Sequence, residues 1–184
     1  MIYHISVSSV LRKTVCDLYT NLVTRPTGVA VRQAIEAALA ELPEPNVTVI
    51  DFAHVKMLDF SCADEVVGKL LDFYQNAEAQ PQRYFLIRGA HDGHLEAIEA
   101  VLERYNLAVI VQDESGSLRL VGTLEDGARR AWQVVKTEGR CGPLEVGRAL
   151  GAPADAALHL LDDLSARRLV MRRDDGYVSL PQSV

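Results

Sequence analysis

Residues 47–71 read VTVIDFAHVKMLDFSCADEVVGKLL, and this stretch decides the fold of the first half of the chain. Residues 47–52 predict a buried strand, and residues 55–58 predict a second, shorter apolar segment. A helix is expected to begin at about Ser61, because apolar residues then recur at helical spacing. Those residues are Ala63, Val66, Val67, Leu70 and Leu71. The stretch therefore predicts a strand that leads into a helix through a short connection.

Ser61 stands in the first turn of the predicted helix. Free backbone N–H groups and the helix dipole favour an anion there, so a phosphate on Ser61 would be tolerated locally and would change the surface seen by a partner. Alternatively, Ser61, or Asp59 just before it, only caps the helix. Asp64 and Glu65 follow at positions where acidic residues complement the dipole, and they would repel a phosphate on Ser61. Both interpretations of Ser61 stay open on the sequence alone.

The order of strand, Asp-Phe, the triplet 59–61 and helix resembles the STAS fold, the domain of anti-sigma-factor antagonists and sulfate-transporter tails. SCADEVVGKLL is similar to STAS-like regulatory proteins, whose signature is a serine and an aromatic residue followed by A/L-D-E-x-x-G-K-L. The resemblance implies a small mixed sheet backed by helices over residues 1–121. It also implies a non-catalytic partner-binding surface, which we assign to Asp59, Ser61, Asp64 and Glu65.

The same resemblance suggests how such a surface is controlled. In the antagonists, a kinase with a histidine-kinase-like ATPase fold phosphorylates the serine that Ser61 matches. The sequence departs from the antagonists at two neighbouring positions, because Phe60 and Cys62 stand where DSSG-type members carry a serine and a glycine. Regulation by phosphorylation of Ser61 is therefore an expectation that depends on the resemblance.

Other elements of residues 1–121 follow from hydrophobic pattern and helix signals. Strands are predicted at residues 2–7, 15–23, 84–87 and 108–111, and residues 118–121 either close the first sheet or lead out of it. Helices are predicted from Thr27, as an N-cap, to residue 42 and over residues 95–105, and residues 112–117 form a polar turn. This alternation is typical of a mixed α/β sheet with crossover helices.

The pattern changes after residue 122 to helices followed by a hairpin. Helices are predicted over residues 123–139, 142–151 and 152–168, and strands at 169–173 and 177–180 flank a turn at Asp174, Asp175 and Gly176. The run LLDDLSARRLVMRRDDGYVSL closely resembles winged helix-turn-helix domains. The resemblance implies a small α+β winged-helix domain over residues 122–184.

DNA binding is the use that a winged helix first suggests, through its third helix and its wing. The outward face predicted for that helix carries Asp155, Ala156, Leu158, His159 and Asp162, although a DNA reader needs Arg, Lys, Asn, Gln, Ser or Thr there. Candidate contacts to nucleic acid or to a protein partner are His159, Arg167, Arg168, Arg172 and Arg173. Because the helix face is acidic and apolar, we favour protein contacts over base recognition.

Composition is that of an ordinary globular protein, with 48% hydrophobic and 24% charged residues in 184. Residues 123–184 hold nine Lys or Arg and nine Asp or Glu, so the net charge of −6 lies in residues 1–122. Neither half has the basic excess of a nucleic-acid binder. Cys16, Cys62 and Cys141 lack ligand spacing, and no membrane segment or secretory signal is recognised, so we expect reduced thiols and a cytoplasmic location without membrane association.

Candidate catalytic or metal-binding residues are few. His91, Asp92, Gly93 and His94 offer too few ligands for a tetrahedral metal site, and Asp-Gly is typical of a turn, so we predict a loop there. No phosphate-binding glycine motif or G-x-S-x-G nucleophile elbow occurs. Cys62 in a first helical turn could have a lowered pKa, but a buried thiol is the ordinary case. We expect no enzyme activity, no cofactor and no metal.

The sequence therefore predicts an α/β STAS-like domain followed by a small α+β winged helix, in a non-catalytic regulatory protein that acts by protein–protein interaction. The expected partner is a histidine-kinase-like ATPase or a transcription regulator, and a homodimer is left open. The alternative is a DNA-binding transcription regulator in which the STAS-like domain serves as sensor or dimerisation module.

Overall fold

The structure, a computed structural model, describes residues 1–76, 82–174 and 176–181. Within them the chain separates into two compact units, Met1–Thr123 and Leu124–Pro181. The first unit is a mixed α/β fold, and the second combines helices with a small antiparallel sheet.

The first unit is built on a mixed five-stranded sheet. Its elements are β1 (Ile2–Ser6), α1 (Val7–Thr14), β2 (Asn21–Leu22), α2 (Arg25–Ala40), β3 (Asn46–Asp51), β4 (Met57–Leu58), α3 (Phe60–Ala63), a π-helical segment (Asp64–Lys69), α4 (Leu70–Asn76), β5 (Arg83–Arg88), α5 (Asp92–Tyr105), β6 (Ala108–Gln112) and β7 (Leu118–Gly122). The strand order is β1-β3-β5-β6-β7, parallel except for the antiparallel pair β6–β7. Strands β2 and β4 form a separate two-stranded parallel sheet.

The core of the first unit lies between one face of the large sheet and its helices. Strand register places Ile5, Ile50, Ile87 and Val111 in one row across four neighbouring strands. Side chains from α1, α2, α4 and α5 pack in the same apolar cluster, including Leu11, Ile35, Leu70 and Ile98. The opposite face of the sheet is buried as well, since Val49, Leu86 and Ile110 are each 0% exposed. Burial on both faces explains why these strands are continuous apolar runs rather than alternating ones.

The prediction of a strand over residues 15–23 is wrong. Helix α1 follows β1 directly, its first turn capped by Ser6, whose hydroxyl accepts a 3.3 Å hydrogen bond from the Ser9 N–H. Val15 and Leu18 are exposed, and only Asn21–Leu22 is a strand. Of the apolar residues in this segment, Leu22 is buried in the core, whereas Val15 and Leu18 do not mark buried structure.

The predicted helix boundaries shift by a few residues. Helix α2 begins at Arg25 with Thr24 as its N-cap, ahead of the predicted start at Thr27. Helix α5 begins at Asp92, so Asp92, Gly93 and His94 lie in its first turn rather than in the predicted loop. The strands near residues 2–7, 47–52, 84–87 and 108–111 and the helix from about Ser61 are confirmed. Of the two alternatives for residues 118–121, the structure has the one in which they close the sheet, as β7.

The second unit contains α6 (Asp126–Glu138), β8 (Arg140–Cys141), α7 (Pro143–Leu150), α8 (Ala154–Ala166), β9 (Met171–Arg173) and β10 (Gly176–Val178). Helix α8 contacts both α6 and α7. The strands form an antiparallel sheet of order β8-β10-β9. The three predicted helices and the paired strands of the hairpin are confirmed. Strand β8 was not predicted, because two residues carry no periodic signal, and Asp175 of the predicted turn lies outside the described residues.

Across residues 1–76, 82–174 and 176–181, no helix combines the length and the apolar composition that crossing a bilayer requires.

Gly68 allows the π-helical segment to lie against α5. A Cβ atom built at Gly68 would lie 2.4 Å from Val101 Cγ1 and 2.9 Å from Tyr105 Cε2, closer than nonbonded carbon atoms approach. We expect Gly68→Ala to lower the free energy of unfolding by about 1–3 kcal/mol, the usual effect of overpacking. Urea denaturation followed by circular dichroism measures this change.

Gly127→Ala is the matched control, since a Cβ there meets nothing closer than Leu160 Cδ2 at 3.5 Å. That variant should be neutral or slightly stabilising, because alanine has the higher helix propensity. Equal denaturation midpoints for both variants would contradict the close approach at Gly68.

Candidate functional site

The helix that carries Ser61 begins at Asp59. Oδ1 of Asp59 accepts hydrogen bonds from the Cys62 N–H and from the Ser61 hydroxyl, both at 2.8 Å. Oδ2 accepts a third from the Thr24 N–H at 3.0 Å. Asp59 is therefore the helix cap, and the interpretation of Ser61 as the cap is wrong. The partly buried Ser61 hydroxyl donates to that cap.

Asp59 is held in its ionised form. Burial raises the pKa of its carboxyl group, but the hydrogen bonds from the Cys62 and Thr24 N–H groups and from the Ser61 hydroxyl outweigh that effect, so the pKa is lowered from its usual value. A phosphate on Ser61 would remove the hydroxyl donor and place a second anion beside this carboxylate. Modification of Ser61 would thus disturb the cap itself.

Thr24 joins the start of α2 to the start of α3. Its N–H donates to Asp59, and its carbonyl oxygen accepts the Cys62 thiol at 3.0 Å. Its φ of 73° is in the left-handed region, which β-branched residues rarely adopt. The Asp59 N–H donates in turn to the Leu22 carbonyl at 3.0 Å. These contacts hold the Thr24 backbone in a conformation that it would not adopt alone.

Cys62 is unsuited to nucleophilic chemistry here. The thiol is buried, and burial together with the nearby Asp59 charge raises its pKa to about 12. The helix start therefore does not activate the thiol, and at neutral pH it stays protonated and donates to Thr24.

Asp64 and Glu65 are buried, with 2% and 0% of their surface exposed. The expectation that they merely complement the helix dipole is therefore insufficient, because a buried carboxylate needs charged or hydrogen-bonding partners. Arg25 Nη1 lies 2.6 Å from Asp64 Oδ2 and 2.6 Å from Glu65 Oε1. One guanidinium group thus joins both carboxylates to the first turn of α2.

Three further cations complete this buried ion cluster. Arg32 Nε lies 3.1 Å from Glu65 Oε2, and Lys69 forms an ion pair with Glu65 within the π-helical segment. On the side of α5, Arg104 Nη1 lies 3.6 Å from Asp64 Oδ1, which also accepts a 3.1 Å hydrogen bond from the Tyr105 hydroxyl. The cluster therefore connects α2, the π-helical segment and α5.

Both buried carboxyl groups are ionised at neutral pH. Burial alone raises each pKa, but hydrogen bonds from Arg25 and Tyr105 to Asp64, and from Lys69, Arg25 and Arg32 to Glu65, outweigh it. Each pKa is therefore lower than its usual value. A group whose pKa falls on folding stabilises the fold above its unfolded pKa, and that stabilisation is lost as the pH drops through the folded pKa.

Apolar side chains are exposed on both sides of the Asp59 cap. Met57 is 57% exposed and Phe60 is 41% exposed. The Arg104 guanidinium carbon lies 6.0 Å from the centre of the Phe60 ring, within the range of a cation–π contact. We call the set Met57, Phe60, Ser61, Arg25 and Arg104 the Ser61 surface. It combines apolar anchors, two guanidinium groups and one hydroxyl.

His91 and His94 lie close to this surface. Their rings stack with centroids 3.5 Å apart. Both border a cavity of about 210 Å³ that is also lined by Met57 and Asp59. Among the residues that the structure describes, no group of three or more His, Cys, Asp or Glu side chains is arranged to hold a metal ion.

Two of the candidate residues of the second unit are paired with carboxylates of α8. Arg167 and Arg172 form ion pairs with Asp163 at 3.2 Å and Asp162 at 3.6 Å. Asp162 also accepts a 2.5 Å hydrogen bond from the Tyr177 hydroxyl. The remaining candidates are His159 and Arg173, which are exposed, and Arg168, which is half-buried with a φ of 60°.

Sequence reasoning missed the partners of the predicted site. Thr24, Arg25, Arg32, Arg104 and Tyr105 are 33 to 41 residues distant from the groups they bind. The one available signal was the adjacent Asp64-Glu65 pair within an otherwise apolar helix face, since buried acidic residues require cationic partners.

Comparison with known proteins returns no family model and no curated protein that matches the chain. The candidate site is therefore defined by its own residues and geometry.

Glu65→Gln tests the buried ion cluster. The substitution keeps the size of the side chain but leaves Lys69, Arg25 and Arg32 facing a neutral amide. We expect a loss of about 2–3 kcal/mol of unfolding free energy, below the value for a fully buried pair because these cations are partly exposed. Chemical denaturation at neutral pH measures it.

Glu36→Gln is the matched control, because the partly exposed Glu36 forms an ion pair with Arg32 one turn away on α2. Its effect should be at most about 0.5 kcal/mol. The difference between Glu65→Gln and wild type should shrink on acidification, as Glu65 protonates in the wild-type protein. A constant difference at every pH would contradict an ionised Glu65.

Proposed function

We propose that this chain is a non-catalytic regulatory protein in which a STAS-like module, residues 1–121, docks a protein partner through the Ser61 surface. The observation that carries the proposal is the placement of Ser61. Its hydroxyl stands in the first turn of α3, bound to the capping carboxylate of Asp59 and next to the exposed Phe60. A single modification there changes both the charge and the local structure of a surface that already offers apolar anchors.

The composition of the Ser61 surface supports protein docking. Aromatic residues, Met and Arg are enriched at protein interfaces, and Phe60, Met57 and Arg104 supply all three. The backbone beneath them is fixed by the hydrogen bonds among Asp59, Thr24 and Cys62, so little order has to be gained on binding. The Cys62 thiol is protonated and the Asp59 carboxylate accepts three hydrogen bonds, so neither group is poised as a nucleophile or base.

Control by phosphorylation follows from the same geometry. A kinase with a histidine-kinase-like ATPase fold would transfer a phosphoryl group to the Ser61 hydroxyl, which would then no longer donate to Asp59. Because Asp59 keeps its negative charge, the new phosphate is repelled and must point outward, across the docking surface. The phosphorylated form is then unable to hold the same partner.

For the second unit, residues 122–184, we propose a winged helix that makes protein contacts. The exposed residues of α8 include Asp155, Asp162 and Asp163 and the partly exposed Leu158. Carboxylates on this face oppose the phosphates of DNA, and a leucine suits a protein surface. Arg172 contributes less to a basic patch than its charge implies, because Asp162 lies 3.6 Å from it.

Ser61→Glu and Ser61→Ala test the docking proposal. We expect a protein partner, captured by the tagged full-length chain from nuclease-treated cell extract, to be retained by Ser61→Ala and lost with Ser61→Glu. Ser115→Glu is a matched control, because the exposed Ser115 hydroxyl also donates to an aspartate two residues earlier, Asp113, at 2.6 Å. Capture that is unchanged in both Ser61 variants would contradict a switch at this residue.

The alternative of a DNA-binding regulator is tested by titrating labelled duplex DNA with the full-length chain at low salt. We expect no mobility shift at micromolar protein, because the exposed face of α8 is acidic. A shift that weakens steeply with salt and disappears in Arg172→Ala/Arg173→Ala would support DNA binding instead.

A further inference from the structure

Ser61 lies one helical turn before the two buried carboxylates. Asp64 and Glu65 follow it by three and four residues, and the Asp64 N–H donates to the carbonyl oxygens of Phe60 and Ser61, so this turn is helical. Side chains at these spacings lie on one face of a helix, with about 5–6 Å between their Cβ atoms. The cations that bind Asp64 are therefore also neighbours of Ser61.

Two guanidinium groups flank Asp64, one from α2 and one from α5. Arg25 Nη1 lies 2.6 Å from Asp64 Oδ2, and Arg104 Nη1 lies 3.6 Å from Asp64 Oδ1. The Arg104 guanidinium carbon is also 6.0 Å from the ring centre of Phe60, the residue directly before Ser61. Both arginines thus lie beside the turn that carries the Ser61 hydroxyl.

Both guanidinium groups keep hydrogen-bond donors for a further anion. An arginine side chain has five N–H donors. Within residues 1–76, 82–174 and 176–181, Arg25 uses only Nη1 in its bonds to Asp64 and Glu65, and Arg104 makes no hydrogen bond shorter than its 3.6 Å ion pair. The side chains of Arg25 and Arg104 are 45% and 57% exposed. A second anion can therefore bind them from the solvent side while Asp64 stays paired.

The charges around Ser61 are arranged in two layers. The carboxylates of Asp64 and Glu65 form the inner layer, with side chains 2% and 1% exposed, and the cations lie outside them. The charged and titratable groups of this region are Asp59 before α3, Arg25, Arg32 and Glu36 on α2, Asp64, Glu65 and Lys69 on the π-helical segment, and Arg104 and Tyr105 on α5. A group on Ser61 that is directed outward, away from Asp59, meets cations before it meets the inner carboxylates.

We propose that a phosphate on Ser61 is bound by the guanidinium groups of Arg25 and Arg104 in the same chain. Guanidinium groups bind phosphate oxygens through charge-assisted and often bidentate hydrogen bonds. The phosphate then occupies both cations of the Ser61 surface beside Phe60, so phosphorylation blocks docking by masking groups that a partner contacts. This inference rests on the proposed function, because it requires that Ser61 is phosphorylated.

Phosphorus nuclear magnetic resonance tests the proposal on the full-length chain, with phosphoserine incorporated at Ser61 during synthesis. The second pKa of an unperturbed phosphoserine is about 6. Two guanidinium groups stabilise the dianion, so we expect a pH titration of the phosphorus resonance to give a value lower by about one pH unit. Repulsion from Asp59 and the inner carboxylates without bound cations would instead raise the pKa above 6.

Arg104→Gln makes the test specific. This side chain is 57% exposed and its ion pair with Asp64 is long, so its replacement does not threaten the fold. We expect the variant to raise the pKa of the phosphate to 6 or above. Arg119→Gln, at an exposed arginine on β7, is the control and should leave the pKa unchanged. The proposal is overturned if the wild-type pKa is 6 or higher, or if Arg104→Gln has no more effect than Arg119→Gln.

The titration involves no partner, so its failure is distinct from failure of the proposed function. Loss of partner capture by the phosphorylated chain, together with an unperturbed phosphate pKa, would overturn binding by Arg25 and Arg104 and leave the switch at Ser61 in place. Normal capture by the phosphorylated chain would contradict the switch, whatever the pKa of the phosphate.

Discussion

One carboxylate organises the candidate site. Asp59 accepts hydrogen bonds from the backbone of Thr24, from the Ser61 hydroxyl and from the Cys62 backbone. Because these donors belong to the starts of α2 and α3, the positions of both helices depend on one side chain. The Ser61 hydroxyl is oriented by this carboxylate, and the Asp59 charge adds to burial in keeping the Cys62 thiol protonated. The Ser61 surface is thus shaped by a cap that connects two helices.

The buried ion cluster extends the same connection into the core. Arg25 follows Thr24 directly and forms ion pairs with both Asp64 and Glu65. Two consecutive residues at the start of α2 therefore bind the helix that follows Asp59, the first through its backbone and the second through its guanidinium group. Replacing a buried ion pair by apolar residues is often neutral or stabilising, so such a cluster is weak evidence for stability alone. The effect of the cluster on geometry is more direct than its effect on stability. Its ion pairs fix the positions of α2, the π-helical segment and α5 relative to one another.

Sequence pattern predicted the parts that depend on local periodicity. Apolar spacing correctly predicted the strand at residues 47–52 and the helix after Ser61. It wrongly predicted a strand at residues 15–23, because the apolar residues there are largely exposed. The ion cluster could not be predicted, since Arg25 and Asp64 are 39 residues apart and no local signal pairs them. The first turn of α5 was also missed, because Asp-Gly before an apolar run is as typical of a turn as of a helix start.

Thr24 carries a further consequence. A residue held at such a backbone angle stores about 1–3 kcal/mol of conformational energy, which is available when the contacts that hold it are removed. That energy is set against the hydrogen bonds that the Thr24 backbone makes with Asp59 and Cys62. A charge change at Asp59 or Ser61 that weakens those bonds therefore also weakens what holds the start of α2 in its present backbone conformation.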